Sequence, residues 1–152
     1  MESPSLSEFD LHLFGQGKHW HIYNVLGAHL CRHAGDEGVR FAVWAPSAQA
    51  VSVIGDFNGW QPGADPLHKR PESGVWECFR PQLAAGTLYK YAVTTTSGEQ
   101  LIKTDPYGQT FEPRPATAAV VTQRSHFSWG DGDWLAHRNC WNWRDQPLSI
   151  YE

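Results

Sequence analysis

The hydrophobic period of the chain changes near residue 39. Between Phe9 and Leu26 the apolar residues fall partly at helical spacing, so that Trp20, Tyr23 and Leu26 would share one stripe. Gly27 suits a left-handed end to such a turn. One or two short helical turns are predicted here, after a polar, frayed stretch over residues 1–8. From Val39 onward the period is two. Val39, Phe41 and Val43 alternate with Arg40, Ala42 and Trp44; Val51 and Val53 alternate with Ser52 and Ile54; Tyr89, Tyr91 and Val93 alternate with Lys90, Ala92 and Thr94. Runs rich in β-branched and aromatic residues at this spacing predict strands. Shorter strands are predicted at 75–79, 100–103 and 118–121. Pro46-Ser47, Asn58-Gly59, Pro62-Gly63, Ser73-Gly74 and Ser97-Gly98 supply turn chemistry between them. Many short strands with regular turns and no long helix predict an all-β, two-sheet sandwich of the immunoglobulin-like kind.

After about Val121 the period fails. Neither the run from Phe127 to Trp134 nor Trp141-Asn142-Trp143 fits a helix or a strand, while Leu148–Tyr151 reads as a strand just starting. The organisation expected is an N-terminal extension over 1–26, a β-sandwich over 27–123, and a linker with an unpartnered strand over 124–152. Exposed indoles and an open strand edge in 127–152 would favour burial against a further domain or self-association. The plainer alternative is that this tail completes the core of the sandwich.

Composition narrows the picture. Hydrophobic residues make up 41% and charged residues 18% of the 152, enough apolar matter for a core. A net charge of −4 argues against a nucleic-acid partner, which calls for clustered Lys and Arg. No apolar run is long enough to span a membrane, and no signal-peptide pattern opens the chain. Cys31, Cys78 and Cys140 form no C-x-x-C pair, so a reduced, cytoplasmic chain is expected. The eight Trp stand out, because an indole serves equally as core or as a wet apolar surface with a polar handle.

Neither a G-x-S-x-G elbow, a P-loop nor an H-E-x-x-H helix occurs. His19 and His21 flank Trp20 and could offer two metal ligands, but no third is placed by spacing; two exposed imidazoles are expected instead, with neither metal nor cofactor. Asp105 and Glu112 could pair, yet each has a local role available in a turn, and no nucleophile–base–orienter set emerges. The informative stretch is Gly55-Asp56-Phe57-Asn58-Gly59-Trp60, which leaves a strand through an Asn-Gly turn and ends in an indole. Such a ring can lie against the apolar, C–H-rich face of a glucose unit. It could equally cap the end of the sandwich. Lys90 lies between Tyr89 and Tyr91 and faces outward if the tyrosines face the core, offering its ammonium to hydroxyls or simply to water. Trp76 is expected in the core, and Trp44 is open to either reading.

The run from Val39 to Ala48, followed by Val51 to Trp60, resembles carbohydrate-binding modules of family forty-eight. Gly74-Val75-Trp76-Glu77, Tyr89-Lys90-Tyr91, Lys103-Thr104-Asp105-Pro106-Tyr107 and Glu112–Thr117 extend the likeness. Phe14–Gly17, Leu26–His29 and Pro147–Glu152 are similar to the flanking segments in bacterial glycogen-branching enzymes, where the last would open the catalytic barrel. The resemblance implies an early-set immunoglobulin-like sandwich. It also implies a parent that makes α-1,6 branches from α-1,4 glucan in glycogen biosynthesis, and a chain that stops before its catalytic residues. The implied partners are α-1,4-glucan or glycogen and that missing domain, with Trp60 and Lys90 touching sugar and Asn58 assisting. A second ring often seen after the Tyr-Lys-Tyr strand is lacking here, where Ser97–Leu101 carries no aromatic. Weak binding, or a purely structural spacer role, would follow.

Overall fold

The computed structural model describes residues 6–123 and 128–152. Ten strands build two antiparallel sheets. The first takes β1 (Gly27–His33), β2 (Asp36–Trp44), β6 (Val75–Pro81) and β5 (His68–Lys69) in the order β1-β2-β6-β5. The second runs β4-β3-β7-β10-β9, from β4 (Asp65–Pro66), β3 (Ala48–Gly55), β7 (Leu88–Thr95), β10 (Ala119–Val120) and β9 (Thr110–Phe111). β8 (Gln100–Lys103) shares the far edge of β7 with β10: Tyr91–Thr94 pair with β8, while Leu88 and Tyr89 pair with β10. The sheets face each other across Val39, Phe41, Val43, Val51, Val53, Trp76, Tyr89 and Tyr91, all buried. This is the immunoglobulin-like sandwich expected from the period-two pattern, and Trp76 lies in its core.

A second apolar cluster lies behind the first sheet. Leu6, Val25 and Leu26 bury against Ala42 and Val75, with Leu11, Phe14 and Ile22 packed around them. The ordered N-terminus begins at least at Leu6, which is 1% exposed, so residues 6–8 are not frayed as the polar composition suggested; residues 1–5 lie outside the described part. Ser7 caps α1 (Glu8–Gly15): its hydroxyl accepts from Asp10 N–H, and the Asp10 carboxylate accepts from Ser7 N–H. A short 3-10 turn follows at Ile22–Asn24, and Gly27 takes the positive φ of +100° expected of it. The predicted stripe does not form. Leu26 is buried, but Trp20 is 87% exposed, because the chain between α1 and the 3-10 turn is not helical and the three residues do not share a face.

Two expectations for the tail are corrected. Gly132–Cys140 forms a helix, α2, although the hydrophobic period is weak; it buries none of its residues, so packing left no stripe in the sequence to read. Leu148–Tyr151 is not a strand: it pairs with nothing, and its side chains are exposed. Phe127, the first residue of the predicted aromatic tail, lies outside the described residues. Among the described residues no helix is long and apolar enough to cross a membrane.

Candidate functional site

β3 delivers the Gly55–Trp60 turn at the open edge of the sandwich, where the chain passes from the second sheet to the first through β4, buried Leu67 and β5. The turn straddles this edge. Phe57 points in and stacks near Phe41, with ring centroids 6.3 Å apart. A side chain on Gly55 would collide with Leu88 O and the Phe57 ring, so only glycine lets the loop turn so tightly against β7. Trp60 ends the turn, half-buried. Three residues further on, Gly63 N–H donates to Ser52 Oγ on the outward face of β3.

Trp60 is half-buried, and its backbone is left-handed at φ +59°, directly after Gly59 at +62°. Its N–H donates to Gly55 O at 2.9 Å, and its indole Nε1–H donates to Asp56 Oδ1 at 2.7 Å. Both ends of the residue are thus tied, and the ring cannot rotate freely. Lys90 sits opposite Ile54 in the β3–β7 ladder, one pair from Gly55, on the outward side as the alternation predicted. Its ammonium donates one hydrogen bond, 2.7 Å long, to Thr117 Oγ1, and two further N–H groups stay available for a ligand. The Gly55–Trp60 turn and Lys90 therefore share one end of the β3–β7 ladder.

Asn58 is placed differently. Its Oδ1 accepts from Gly55 N–H, and its Nδ2 donates both to Val53 O at 2.9 Å and to Asp65 Oδ2 at 2.7 Å. Both amide hydrogens are spent inside the protein, so Asn58 shapes the turn. Sequence reasoning missed Asp65 altogether. Its signal was faint: an acidic residue at the start of a two-residue strand, seven positions after the turn.

The other candidates resolve into structure. Asp105 is buried and accepts from the hydroxyls of Tyr89 (2.6 Å) and Tyr91 (3.3 Å) and from Tyr107 N–H (2.8 Å). Burial pushes its carboxyl above the usual range, against the opposing pull of these bonds. Glu112 accepts from Ala118 N–H, the local turn role anticipated for it. His19 is not the exposed imidazole expected; it is half-buried, with Nε2 2.7 Å from Asp10 Oδ1, while the exposed His21 meets the Tyr23 hydroxyl at 2.9 Å. Among the described residues no three metal-ligating side chains converge. Cys78 is held as an inert thiol, its pKa pushed up to about 12 by burial first and by the charge of Asp65 next.

The end of β3 thus carries an indole fixed by two hydrogen bonds, next to the ladder position of outward Lys90. Residues 25–108 match the family model of carbohydrate-binding module 48 (isoamylase N-terminal domain), and the chain belongs to that family. It is 62% identical over all 152 residues to the 1,4-alpha-glucan branching enzyme GlgB of Marinobacter nauticus, and 51% identical over 150 residues to that of Methylococcus capsulatus. It spans 24% and 20% of those two relatives. Among solved structures it is similar to a Klebsiella pneumoniae pullulanase complexed with maltotriose (TM-score 0.52, 30% identity, 64% of this chain and 9% of the other). An apo pullulanase from Paenibacillus barengoltzii is similar too (TM-score 0.51, 25% identity, 64% of this chain and 14% of the other).

Proposed function

We propose that this chain is the α-glucan-binding and domain-positioning module of a 1,4-α-glucan branching enzyme working in glycogen biosynthesis in the cytoplasm, and that it is itself non-catalytic. The observation that supports the binding reading is the doubly tethered Trp60 in the turn that leaves β3 one ladder position from outward Lys90. The relatives' names carry the parent activity. Trp60 stacks on a glucose ring, Lys90 donates to its hydroxyls, and Asn58 assists by holding the turn. One ring and a few exposed hydrogen bonds give a dissociation constant on the order of millimolar. In a native gel containing glycogen the chain is expected to be retarded, and Trp60→Ala to run as in a sugar-free gel. Retardation that survives the substitution would remove Trp60 from the site. Amylose incubated with the pure chain should keep its iodine spectrum; a spectral change absent from a mock preparation would overturn the non-catalytic reading.

A positioning role toward the rest of the parent has its own support. α2 and its surroundings expose Trp129, Trp134 and Trp141, and Leu148, Ile150 and Tyr151 beyond them. Arg138 lies over the Trp134 ring at 4.9 Å and His137 stacks on Trp141, and no residue of the helix is buried, so the indoles stand exposed. Burial against the catalytic domain, or self-association of the isolated chain through 127–152, accounts for that apolar display. Sedimentation at increasing concentration tests the second: a monomer at all concentrations would exclude it.

A further inference from the structure

A bulky residue rarely takes a left-handed backbone, and Trp60, directly after the left-handed Gly59, persists there only where surrounding contacts over-determine it. Those contacts lead away from the ring to the opposite sheet. Trp60 N–H is held by Gly55 O, Gly55 N–H by Asn58 Oδ1, and Asn58 Nδ2 by Val53 O and Asp65 Oδ2. Asp65 is 6% exposed and stands opposite Val53 on β4. Its other oxygen, Oδ1, is 2.9 Å from Arg80 Nη1, and Arg80 is on β6 of the first sheet. Arg80 Nε is buried with no hydrogen-bond partner, so Asp65 is the carboxylate that compensates this guanidinium.

We infer that Asp65 and Arg80 are positioning residues for the Trp60 ring: they clamp Asn58 across the mouth of the sandwich and so preset the angle at which the indole meets a glucan. The inference rests on the glucan-binding reading. A site built on one ring has little contact energy to spare for ordering a loop, so presetting that loop contributes directly to affinity. Without Asp65, one amide hydrogen of Asn58 loses its acceptor and Arg80 its charge partner. The turn is then free to leave its left-handed state and the ring its angle. Neither Asp65 nor Arg80 needs to touch sugar.

The test uses the whole chain labelled with nitrogen-15. The Trp60 indole N–H resonance, identified by its loss in Trp60→Ala, is followed in Asp65→Ala, Asp65→Asn and Arg80→Gln, and maltoheptaose is titrated into each. Asp65→Ala is expected to shift or broaden the Trp60 indole peak while that of core Trp76 stays in place, and to weaken maltoheptaose binding roughly three- to tenfold. Arg80→Gln, partly exposed and so gentler, should move both in the same direction by less. Asp65→Asn keeps an acceptor for Asn58 and should restore most of the wild-type peak position. If Asp65→Ala fails to fold, Arg80→Gln carries the test. Unchanged Trp60 indole peaks and unchanged affinity in the folded variants would overturn the inference. If the wild type itself ignores maltoheptaose, the binding reading fails, whereas the indole peaks still report on whether the clamp sets the ring.

Discussion

The two outer faces of the sandwich are built from the same alternating pattern, yet they are covered to different extents and by different segments. On the first sheet the outward Arg40 and Ala42 of β2 and Val75 of β6 are sealed, while Trp44 at the end of β2 stays half exposed. Residues 6–26 lie across them, Ala42 and Val75 join an apolar cluster, and Arg40 is 8% exposed. Arg40 donates to Val25 O at 2.6 Å and lies 3.7 Å from Glu77, which also meets Arg70, which in turn reaches Glu8 of α1. This ladder of charges locks the N-terminal layer onto the sheet. On the second sheet the outward Ser52, Ile54 and Ala92 are buried too, the turn returning from Gly55 to Ala64 reaching Ser52, while Lys90 stays half-buried and Ile102 exposed. One face is thus closed by the N-terminal layer, and the other keeps Lys90 and Ile102 partly open, where the proposed glucan would lie. The lesson is that alternation places a residue outward, but outward means exposed only where no other segment arrives to cover it.

The comparison makes separable predictions. Glu77→Ala strikes the sealed face, stranding Arg40 with the backbone carbonyl of Val25 alone. It should cost roughly 3 kcal/mol of unfolding free energy, read by urea denaturation, and leave the maltoheptaose affinity of the folded protein unchanged. A loss of affinity without a loss of stability would mean the faces are not separate. Lys90→Met is the converse. It keeps the stem and removes the ammonium, and it should weaken glucan binding by about 1 kcal/mol with a thermal midpoint close to that of wild type. Equal affinity in the variant would reduce Lys90 to a partner of Thr117.

The smallest effect concerns how the N-terminal layer responds to acid. Burial alone would raise the Asp10 carboxyl, but hydrogen bonds from Ser7 and His19 outweigh it and hold the group below its ordinary value. A carboxyl lowered in the folded state stabilises above its unfolded pKa and loses that contribution as pH falls through its folded one. Wild type should therefore exceed Asp10→Asn in thermal midpoint at neutral pH, with the gap closing below about pH 4. A gap that stays constant to low pH would show that the Asp10 charge is irrelevant to the cap.

Much of this architecture was legible along the chain. Strands β2, β3, β6, β7 and β8 announced themselves because alternation survives wherever one side chain in two meets the core, and the inward tyrosines of β7 followed from the same rule. The outward position of Lys90 came with them, and so did the tight turn that ends in Trp60, since Asn-Gly dictates a local backbone. β1 was not legible: from Gly27 to His33 it is an edge strand of mixed burial, with no clean period to read. α2 escaped because a helix that buries nothing leaves no stripe. Sequence by itself determined the sandwich and its turns, and singled out one indole and one lysine as candidates for the proposed sugar site. Only the tertiary structure decided that residues 6–26 close one face, that Asn58 spends its amide within the turn, and that Asp65 and Arg80 span the sheets to hold it. Those outcomes depend on groups brought together from opposite sheets or from distant stretches of chain. A hydrogen bond selects its partner by distance and angle in space, which no local periodicity encodes.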